Sequence, residues 1–318
     1  MSRVEALGYC ARLTADHYEN FSVVTWLTPR EHRPAFQSIY AFCRWSDDLG
    51  DEVGDPRRSL ELLGWWKGEL QAMFQGEARH PVMVALQETV LRHQIPIAPF
   101  EALIDAFRQD QTVTEYDSYN QLLDYCTRSA NPVGHLVLHV AGAYNEENAV
   151  LSDATCTALQ LANFWQDVAR DLAIGRIYLP REDRQRFGYP EDDLRALRCT
   201  RAFADLMKFE IERTRDLFEK GSALMPRIPG ALSVDVDLFT RGGLAILNRI
   251  EALNYNVLTT RPALGRWTKI WLLGRAMAGL AGARLRGRQG RTKSHPRRTP
   301  SEAAGSSHSV RARLESHR

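Results

Sequence analysis

Long apolar runs are absent from this chain of 318 residues, although 44% of the residues are hydrophobic. No stretch approaches the ~18 consecutive apolar residues that a membrane-spanning helix needs. The N-terminal residues lack the apolar core of a secretion signal, and the five cysteines form no CxxC pair. These absences argue against an integral protein, a disulfide framework and a cysteine zinc site. We therefore expect a cytoplasmic protein.

Alternating β-branched residues, the pattern of a half-buried strand, are nearly absent too. Apolar residues instead recur at spacings of three and four over 58–74, 100–110 and 202–225, which predicts amphipathic helices. Proline and glycine separate such segments, and nothing near the middle of the chain has the composition of a linker. The patterns predict one all-α domain over residues 1–283.

Positive charge is concentrated in the last part of the chain. Residues 284–318 contain ten Lys or Arg and two Glu, so this segment carries +8 and the remainder of the chain −6. The segment has almost no large apolar residue and is predicted to be a disordered basic tail. An acidic body argues against nucleic acid as a partner.

One predicted helix, IYAFCRWSDDLGDE, gathers acidic residues on a single face. At about 100° per residue, four of its polar side chains fall within an arc of about 60°. These are Tyr40, Arg44, Asp47 and Asp51, with Asp48 beside them. The other side of the helix is apolar, so the helix is predicted to pack against the core.

A second stretch, LANFWQDVARDLAIGRIYLP, places Asn163, Asp167 and Asp171 at i, i+4 and i+8 of a helix. Carboxylates on one face repel each other and are costly to desolvate unless a cation lies between them. Mg²⁺ suits such a site, because it takes one or two carboxylates per ion and completes its shell with phosphates and water. Two such clusters in one all-α chain favour a magnesium diphosphate site.

The alternative for each cluster is a solvated helix face. Local ion pairs, such as Arg44 with Asp47 and Asp167 with Arg170, would then neutralise the acids. This interpretation suits either cluster taken alone.

The two acidic stretches together resemble the paired motifs DDxxD(E) and NxxQDxxxDxxxGRxYLP of the squalene and phytoene synthase family. YCTRSANPVGHLVLHVAG and LNYNVLTTRPALGRWTK are similar to two further segments of that family. The resemblance covers residues 17 to about 280. It implies an isoprenoid-synthase helical bundle around a central apolar cavity, with the two clusters facing each other at its mouth.

Two departures from the family's sequence pattern indicate which branch of the family this chain resembles. Family members that join two allylic diphosphates carry an HxKSF-like segment, whereas this chain has His17-Tyr18-Glu19-Asn20-Phe21, with a carboxylate in place of the lysine. SANPVG likewise replaces AGTVG. The combination resembles the hydroxysqualene synthase branch of bacterial hopanoid biosynthesis, which implies conversion of presqualene diphosphate and water into hydroxysqualene without NADPH. A presqualene diphosphate synthase and a hydroxysqualene reductase are the implied functional neighbours.

This chemistry requires a leaving diphosphate and a carbocation to be stabilised. The metal-ligand candidates are Asp47, Asp48, Asp51, Asn163, Asp167 and Asp171. The candidates for diphosphate contacts are Arg44, Arg170, Arg261, Lys269, Tyr40, Tyr178, Tyr255 and His17. For His17 a structural hydrogen bond near the N-terminus is the equal alternative. Phe21, Tyr125 and Phe164 are candidate π faces for the cation, although an aromatic residue taken singly is more often ordinary core. Asn131, Tyr125 or backbone carbonyls are candidates to position the quenching water.

Other functions remain open on the sequence alone. One is head-to-head condensation of farnesyl or geranylgeranyl diphosphate to presqualene diphosphate, squalene or phytoene. Another is an inactive helical scaffold, which the intact acidic clusters disfavour. The basic amphipathic segment 263–283 and the tail after it also predict peripheral contact with an anionic membrane, unless the segment packs on the bundle and the tail is merely solvated.

Overall fold

The structure of the protein is a computed structural model that describes residues 1–16 and 30–263. In these two ranges the chain forms twelve α-helices and no strand, which confirms the all-α prediction. The helices are α1 (Arg3–Asp16), α2 (Arg33–Asp47), α3 (Pro56–Phe74), α4 (Pro81–His93), α5 (Ala98–Gln109), α6 (Tyr119–Ser129), α7 (Asn131–Val140), α8 (Glu146–Ala173), α9 (Arg181–Arg186), α10 (Glu191–Arg195), α11 (Arg201–Ser222) and α12 (Gly230–Ala252).

Local sequence signals explain where many of these helices begin. Proline occupies the first turn of α2, α3, α4, α5 and α7, where its fixed φ suits a helix and its missing N–H costs nothing. Asp55 caps α3 by accepting from the backbone N–H of Arg57, and Asn145 caps α8 by accepting from that of Asn148. The segments predicted at 58–74, 100–110 and 202–225 correspond to α3, α5 and α11.

The helices pack around two large apolar clusters. One cluster lies among α8, α11 and α12, and the other holds helices α1, α2, α3, α4 and α5 together. Buried tryptophans connect helices in each: the Trp165 indole N–H donates to Thr214 Oγ1 at 2.8 Å, and that of Trp66 donates to Ser46 Oγ at 3.0 Å. A fully buried large apolar side chain contributes about 1.5–3 kcal/mol, so these clusters fix the relative positions of the helices that carry the acidic motifs.

Glycine allows α7 to lie directly against α8. A Cβ at Gly134 would come within 2.3 Å of Ser152 Oγ and 2.7 Å of Cys156 Sγ, distances that non-bonded atoms do not reach. The SANPVG segment is therefore held against the N-terminal half of α8.

None of the helices in residues 1–16 and 30–263 is both long and apolar enough to cross a membrane. The segment predicted to contact a membrane lies outside the described residues from 264 onwards, and so does the predicted basic tail at 284–318.

Candidate active site

The first acidic cluster lies where α2 passes into a π-helical turn, Asp48–Glu52. The prediction of a continuous α-helix is wrong in this last turn, because the wider π turn changes the direction in which Asp51 points. Arg44 holds the cluster together, with its guanidinium 3.2 Å from Asp47, 2.5 Å from Asp48 and 2.5 Å from Glu52. The local Arg44–Asp47 pair is thus present, but as part of a larger network.

Tyr40 lies two turns before this cluster on the same helix and is buried. Burial raises the pKa of its hydroxyl above the ordinary 10.0, so the phenol is a hydrogen-bond donor at neutral pH. The Tyr40 side chain lines the apolar cavity described below.

The second acidic cluster lies on the last turns of α8. Asp167 is buried, Asp171 is half-buried and Asn163 is exposed. Burial, reinforced by the neighbouring Asp167 charge, raises the pKa of Asp171 from 3.8 to about 7. Two carboxylates this close, in a partly desolvated setting, favour a proton or a cation between them.

An arginine from beyond α12 pairs with this cluster. Arg261 donates from Nε to Asp167 Oδ1 at 2.5 Å and from Nη2 to Asp167 Oδ2 at 3.0 Å, a two-pronged geometry that positions both groups. If the second cluster were a solvated helix face, Asp167 would pair with Arg170. In the structure Arg170 is exposed, and Asp167 pairs with Arg261 instead. An arginine 94 residues away in sequence therefore takes the place expected of a local one.

Arg176, which was not among the residues predicted for the site, connects the two clusters. Helix α8 ends in a Schellman motif in which Gly175 has φ +80° and the Arg176 N–H returns to the Asp171 carbonyl at 2.8 Å. This turn directs the Arg176 side chain across the site, where its Nη2 lies 3.0 Å from Asp51 Oδ1. The sequence shows Gly175 and Arg176 within the motif. It does not show that Asp51, on another helix, is the partner of Arg176.

Aromatic rings form a wall behind Arg176. Phe164 and Tyr178 stack with ring centroids 3.7 Å apart and planes 9° apart. Tyr116 and Tyr125 pack against Tyr178 at 5.8 and 6.2 Å. Two of the predicted π faces, Tyr125 and Phe164, thus belong to one aromatic cluster.

Asp110 is a second residue of the site that was not predicted from the sequence. The Tyr125 hydroxyl donates to Asp110 Oδ2 at 2.9 Å. Burial raises the pKa of Asp110 to about 6, although the Arg176 charge and the Tyr125 hydrogen bond oppose the rise. The pair, a buried tyrosine and a half-buried carboxyl, is therefore a hydrogen-bonded acid–base unit close to the guanidinium that bridges the clusters.

An apolar cavity of about 350 Å³ begins one helical turn below the acidic clusters. Its walls come from α2, α7, α8 and α12 together with the segment that precedes α12. The lining includes Tyr40 and Cys43 on α2, Val137 on α7 and Leu159 on α8. It has the character expected of a site for a hydrocarbon chain.

Several predicted residues lie elsewhere or outside the described ranges. Tyr255 is half-buried at the end of α12 and packs on the core around α8. The amide oxygen of Asn131 accepts from Thr157 Oγ1 at 2.9 Å, so a buried hydroxyl already occupies it. His17, Phe21 and Lys269 lie outside the described residues.

The acidic residues suit a magnesium ion that also binds phosphate oxygens better than one whose ligands all come from the protein. No group of three or more His, Cys, Asp or Glu side chains in the described part of the chain is arranged to hold a metal by itself. Mg²⁺ needs fewer protein ligands, because it retains waters and takes oxygens from substrate phosphates. The carboxylate donors of both clusters fit that mode, and the arginines that now pair with them fit phosphate oxygens.

The comparisons with known proteins all indicate the same family. The squalene/phytoene synthase family model matches residues 14–268. The phytoene synthase of Arthrospira platensis is 32% identical over 292 residues, covering 86% of this chain and 92% of that protein. The 15-cis-phytoene synthase of Synechocystis sp. is 34% identical over 272 residues, covering 81% and 80%.

Solved structures agree with this result. The crystal structure of squalene synthase HpnC from Alicyclobacillus acidocaldarius is 47% identical, with a TM-score of 0.77, and covers 79% of this chain and 95% of that chain. A dehydrosqualene synthase solved with a ligand has a TM-score of 0.76 and covers 88% of this chain and 98% of that chain. Its identity of 23% shows the shared fold alone.

Proposed function

Since the chain belongs to the squalene/phytoene synthase family, whose enzymes act on prenyl diphosphates, we propose that it is a hydroxysqualene synthase. The reaction is the ionisation of presqualene diphosphate, rearrangement of the carbocation and its capture by water. The observation that carries the proposal is one juxtaposition. Two carboxylate clusters joined by Arg176 lie directly above an apolar cavity bounded by Tyr40 and Cys43.

Ionisation places a growing negative charge on the diphosphate. Arg44, Arg176 and Arg261 surround the site and are the side chains that would bind its oxygens. Magnesium held by the aspartates would supply Lewis-acid stabilisation of the leaving diphosphate. The guanidiniums contribute most if they contact the oxygens more strongly as the C–O bond breaks, because only such differential binding accelerates the step.

The cation that remains is apolar except at its charged carbon. The stacked Phe164 and Tyr178 rings, with Tyr125 beside them, offer negative π faces worth about 0.5–2 kcal/mol per contact. Water then forms a C–O bond to the cation and loses a proton. The hydrogen-bonded Tyr125–Asp110 pair, with a carboxyl pKa of about 6, is able to accept that proton at neutral pH.

The hydroxysqualene assignment rests further on the sequence. Glu19 stands where the condensing enzymes of the family carry a lysine, and a carboxylate there disfavours a second diphosphate. The 47% identity to a squalene synthase supports a C30 product. NADPH is not expected, because water rather than hydride ends the reaction.

A second candidate is head-to-head condensation of two allylic diphosphates. The identity of 32–34% to phytoene synthases over most of the chain favours it. The experiment that separates the two incubates the purified full chain with presqualene diphosphate, with farnesyl diphosphate or with geranylgeranyl diphosphate, in Mg²⁺ and without NADPH. We expect an alcohol from presqualene diphosphate and no product from farnesyl diphosphate. Rapid formation of presqualene diphosphate, or of phytoene from geranylgeranyl diphosphate, would instead establish the condensing activity.

A further inference from the structure

The π-helical turn at the end of α2 determines which acidic residue pairs with which arginine. On a continuous α-helix Asp51 would lie one turn beyond Asp47 on the same face, as its spacing predicts. In the structure Arg44 pairs with the other three acidic residues of this stretch. Asp51 pairs instead with Arg176, across the site. The shape of this one turn therefore gives Arg176 its carboxylate and joins the two clusters.

A glutamine from another part of the fold holds the turn in this shape. Gln111, two residues beyond the end of α5, donates from Nε2 to the Gly50 carbonyl at 3.0 Å and to the Phe107 carbonyl at 3.0 Å. An amide nitrogen has two hydrogens, so both are used. The Ser59 hydroxyl also faces the Gly50 carbonyl, but its distance of 3.4 Å exceeds the usual O–H···O range of about 2.5–3.0 Å. Gln111 is therefore the main donor.

The Gly50 carbonyl controls the direction of the residue that follows it. Carbonyls in the last turn of a helix find no N–H further along the same helix, and Gly50 is buried, so its partner must come from another segment. The Gly50 carbonyl and the Asp51 N–H belong to one rigid peptide plane. A donor that fixes this oxygen therefore fixes the direction in which Asp51 leaves the turn.

The Phe107 ring lies against the same turn. A Cβ at Gly50 would come within 3.1 Å of Phe107 Cδ1, so the ring prevents the turn from moving closer to α5, while the Gln111 amide keeps it from moving away. Asp110, the residue before Gln111, receives the Tyr125 hydroxyl. The end of α5 and the turn after it thus contact the first acidic cluster and carry the proposed proton acceptor.

We propose that Gln111 is a positioning residue that keeps Asp51 paired with Arg176, and so keeps a carboxylate where magnesium and the diphosphate bind. Without the amide, the Gly50 carbonyl loses its main partner and the turn relaxes towards the ordinary α-helical repeat. A change of register by one residue rotates the following side chains by about 100°, which turns Asp51 away from Arg176. The inference rests on the proposed function in one respect, namely that magnesium and a diphosphate bind between the two clusters.

The test measures binding of inorganic diphosphate in excess Mg²⁺, which needs neither turnover nor a prenyl chain. Calorimetry compares the unaltered full chain with Gln111→Met and Gln111→Leu, whose side chains fill similar space and carry no N–H donor. The same titration is made with Asp51→Asn and with the double variant Asp51→Asn/Gln111→Met. Circular dichroism checks that every variant is folded.

Gln87→Met is the matched control. The Gln87 Nε2 also donates to a carbonyl near a helix end, that of Met73 in the last turn of α3, at 3.1 Å. Gln87 and Met73 lie on α4 and α3, which contribute no residue to the acidic clusters. The control therefore removes the same kind of hydrogen bond from another part of the fold.

We expect Gln111→Met and Gln111→Leu to weaken diphosphate binding about tenfold, and Gln87→Met to change it by less than about twofold. Because Gln111 acts through Asp51, the two changes should not add: in the Asp51→Asn background, Gln111→Met should change the affinity by less than about twofold. The loss in Gln111→Met should also not exceed the loss in Asp51→Asn, since it cannot remove more than Asp51 contributes.

Three results would overturn the proposal: an unchanged affinity in both Gln111 variants, additive losses in the double variant, or an equal loss in Gln87→Met. Absence of binding to the unaltered protein would overturn it together with the magnesium diphosphate site. Failure to convert presqualene diphosphate would refute the hydroxysqualene assignment and leave these affinities intact.

Discussion

Ionisation of Asp235 should make the stability of the protein fall as pH rises, and replacing this one residue should remove that effect. Asp235 lies on α12 and lines the apolar cavity, and burial raises the pKa of its carboxyl from 3.8 to about 7. Between these values the unfolded chain releases the proton while the folded protein retains it. The folded state then binds more protons than the unfolded state, so the free energy of unfolding decreases with increasing pH.

The magnitude follows from the size of the shift. One pKa unit corresponds to 1.36 kcal/mol, so the full penalty above pH 7 is about 4 kcal/mol. Part of it is already present at pH 5, where the unfolded carboxyl is mostly ionised. The change that remains between pH 5 and pH 8 is about 3 kcal/mol. Asp235→Asn has a similar shape and does not titrate, so this pH-dependent penalty is absent from it.

The assay is urea unfolding followed by circular dichroism at pH 5, 6, 7 and 8. Asp110, Asp171 and Glu210 also have raised pKa values, but they titrate alike in both proteins and cancel in the difference. Asp235→Asn should gain about 3 kcal/mol relative to the unaltered protein from pH 5 to pH 8. Asp237→Asn should gain nothing comparable, because Asp237 forms an ion pair with Arg241. A difference between Asp235→Asn and the unaltered protein that stays constant over this range would refute the reasoning.

Three further predictions concern the site and the membrane. Turnover should require Mg²⁺, and Asp48→Ala or Asp167→Ala should lower it by orders of magnitude with the helical content retained; near-normal rates in EDTA would contradict the metal. Asp110→Asn should lower turnover and remove an acid limb near pH 6 from the rate profile, and an unchanged limb would exclude Asp110 as the proton acceptor. The full chain should sediment with anionic liposomes at low salt, more than a version ending at Gly282; if both stay in the supernatant, the proposed membrane contact is wrong.

The helices were predictable because their signals are local. The period of apolar residues and the prolines at helix starts are properties of short segments, and tertiary packing left them unchanged. The grouping of Asn163, Asp167 and Asp171 on one face likewise needed only the helical repeat. The same repeat failed at Asp51, because it does not reveal a π turn.

The contacts between distant segments were not predictable from one sequence. Asp110 and Asp235 lie in segments with helical periodicity, and nothing near them in sequence separates them from solvated acids such as Asp237. Their roles depend on which other helices cover them: Asp110 receives the Tyr125 hydroxyl, and Asp235 faces a cavity with walls from four helices. Burial against remote elements, rather than residue type, makes these two carboxyls unusual.

The charge of the assembled site supports the proposal that divalent cations bind together with the diphosphate. Its carboxylates are Asp47, Asp48, Asp51, Glu52, Asp167 and Asp171, against the guanidiniums of Arg44, Arg176 and Arg261. The acids outnumber the arginines, so a diphosphate would enter a site of its own sign. Divalent cations reverse that balance, since they attract both the carboxylates and the phosphate oxygens. The arginines would then be free to turn from the carboxylates towards the leaving group, which is where positive charge lowers the barrier to ionisation.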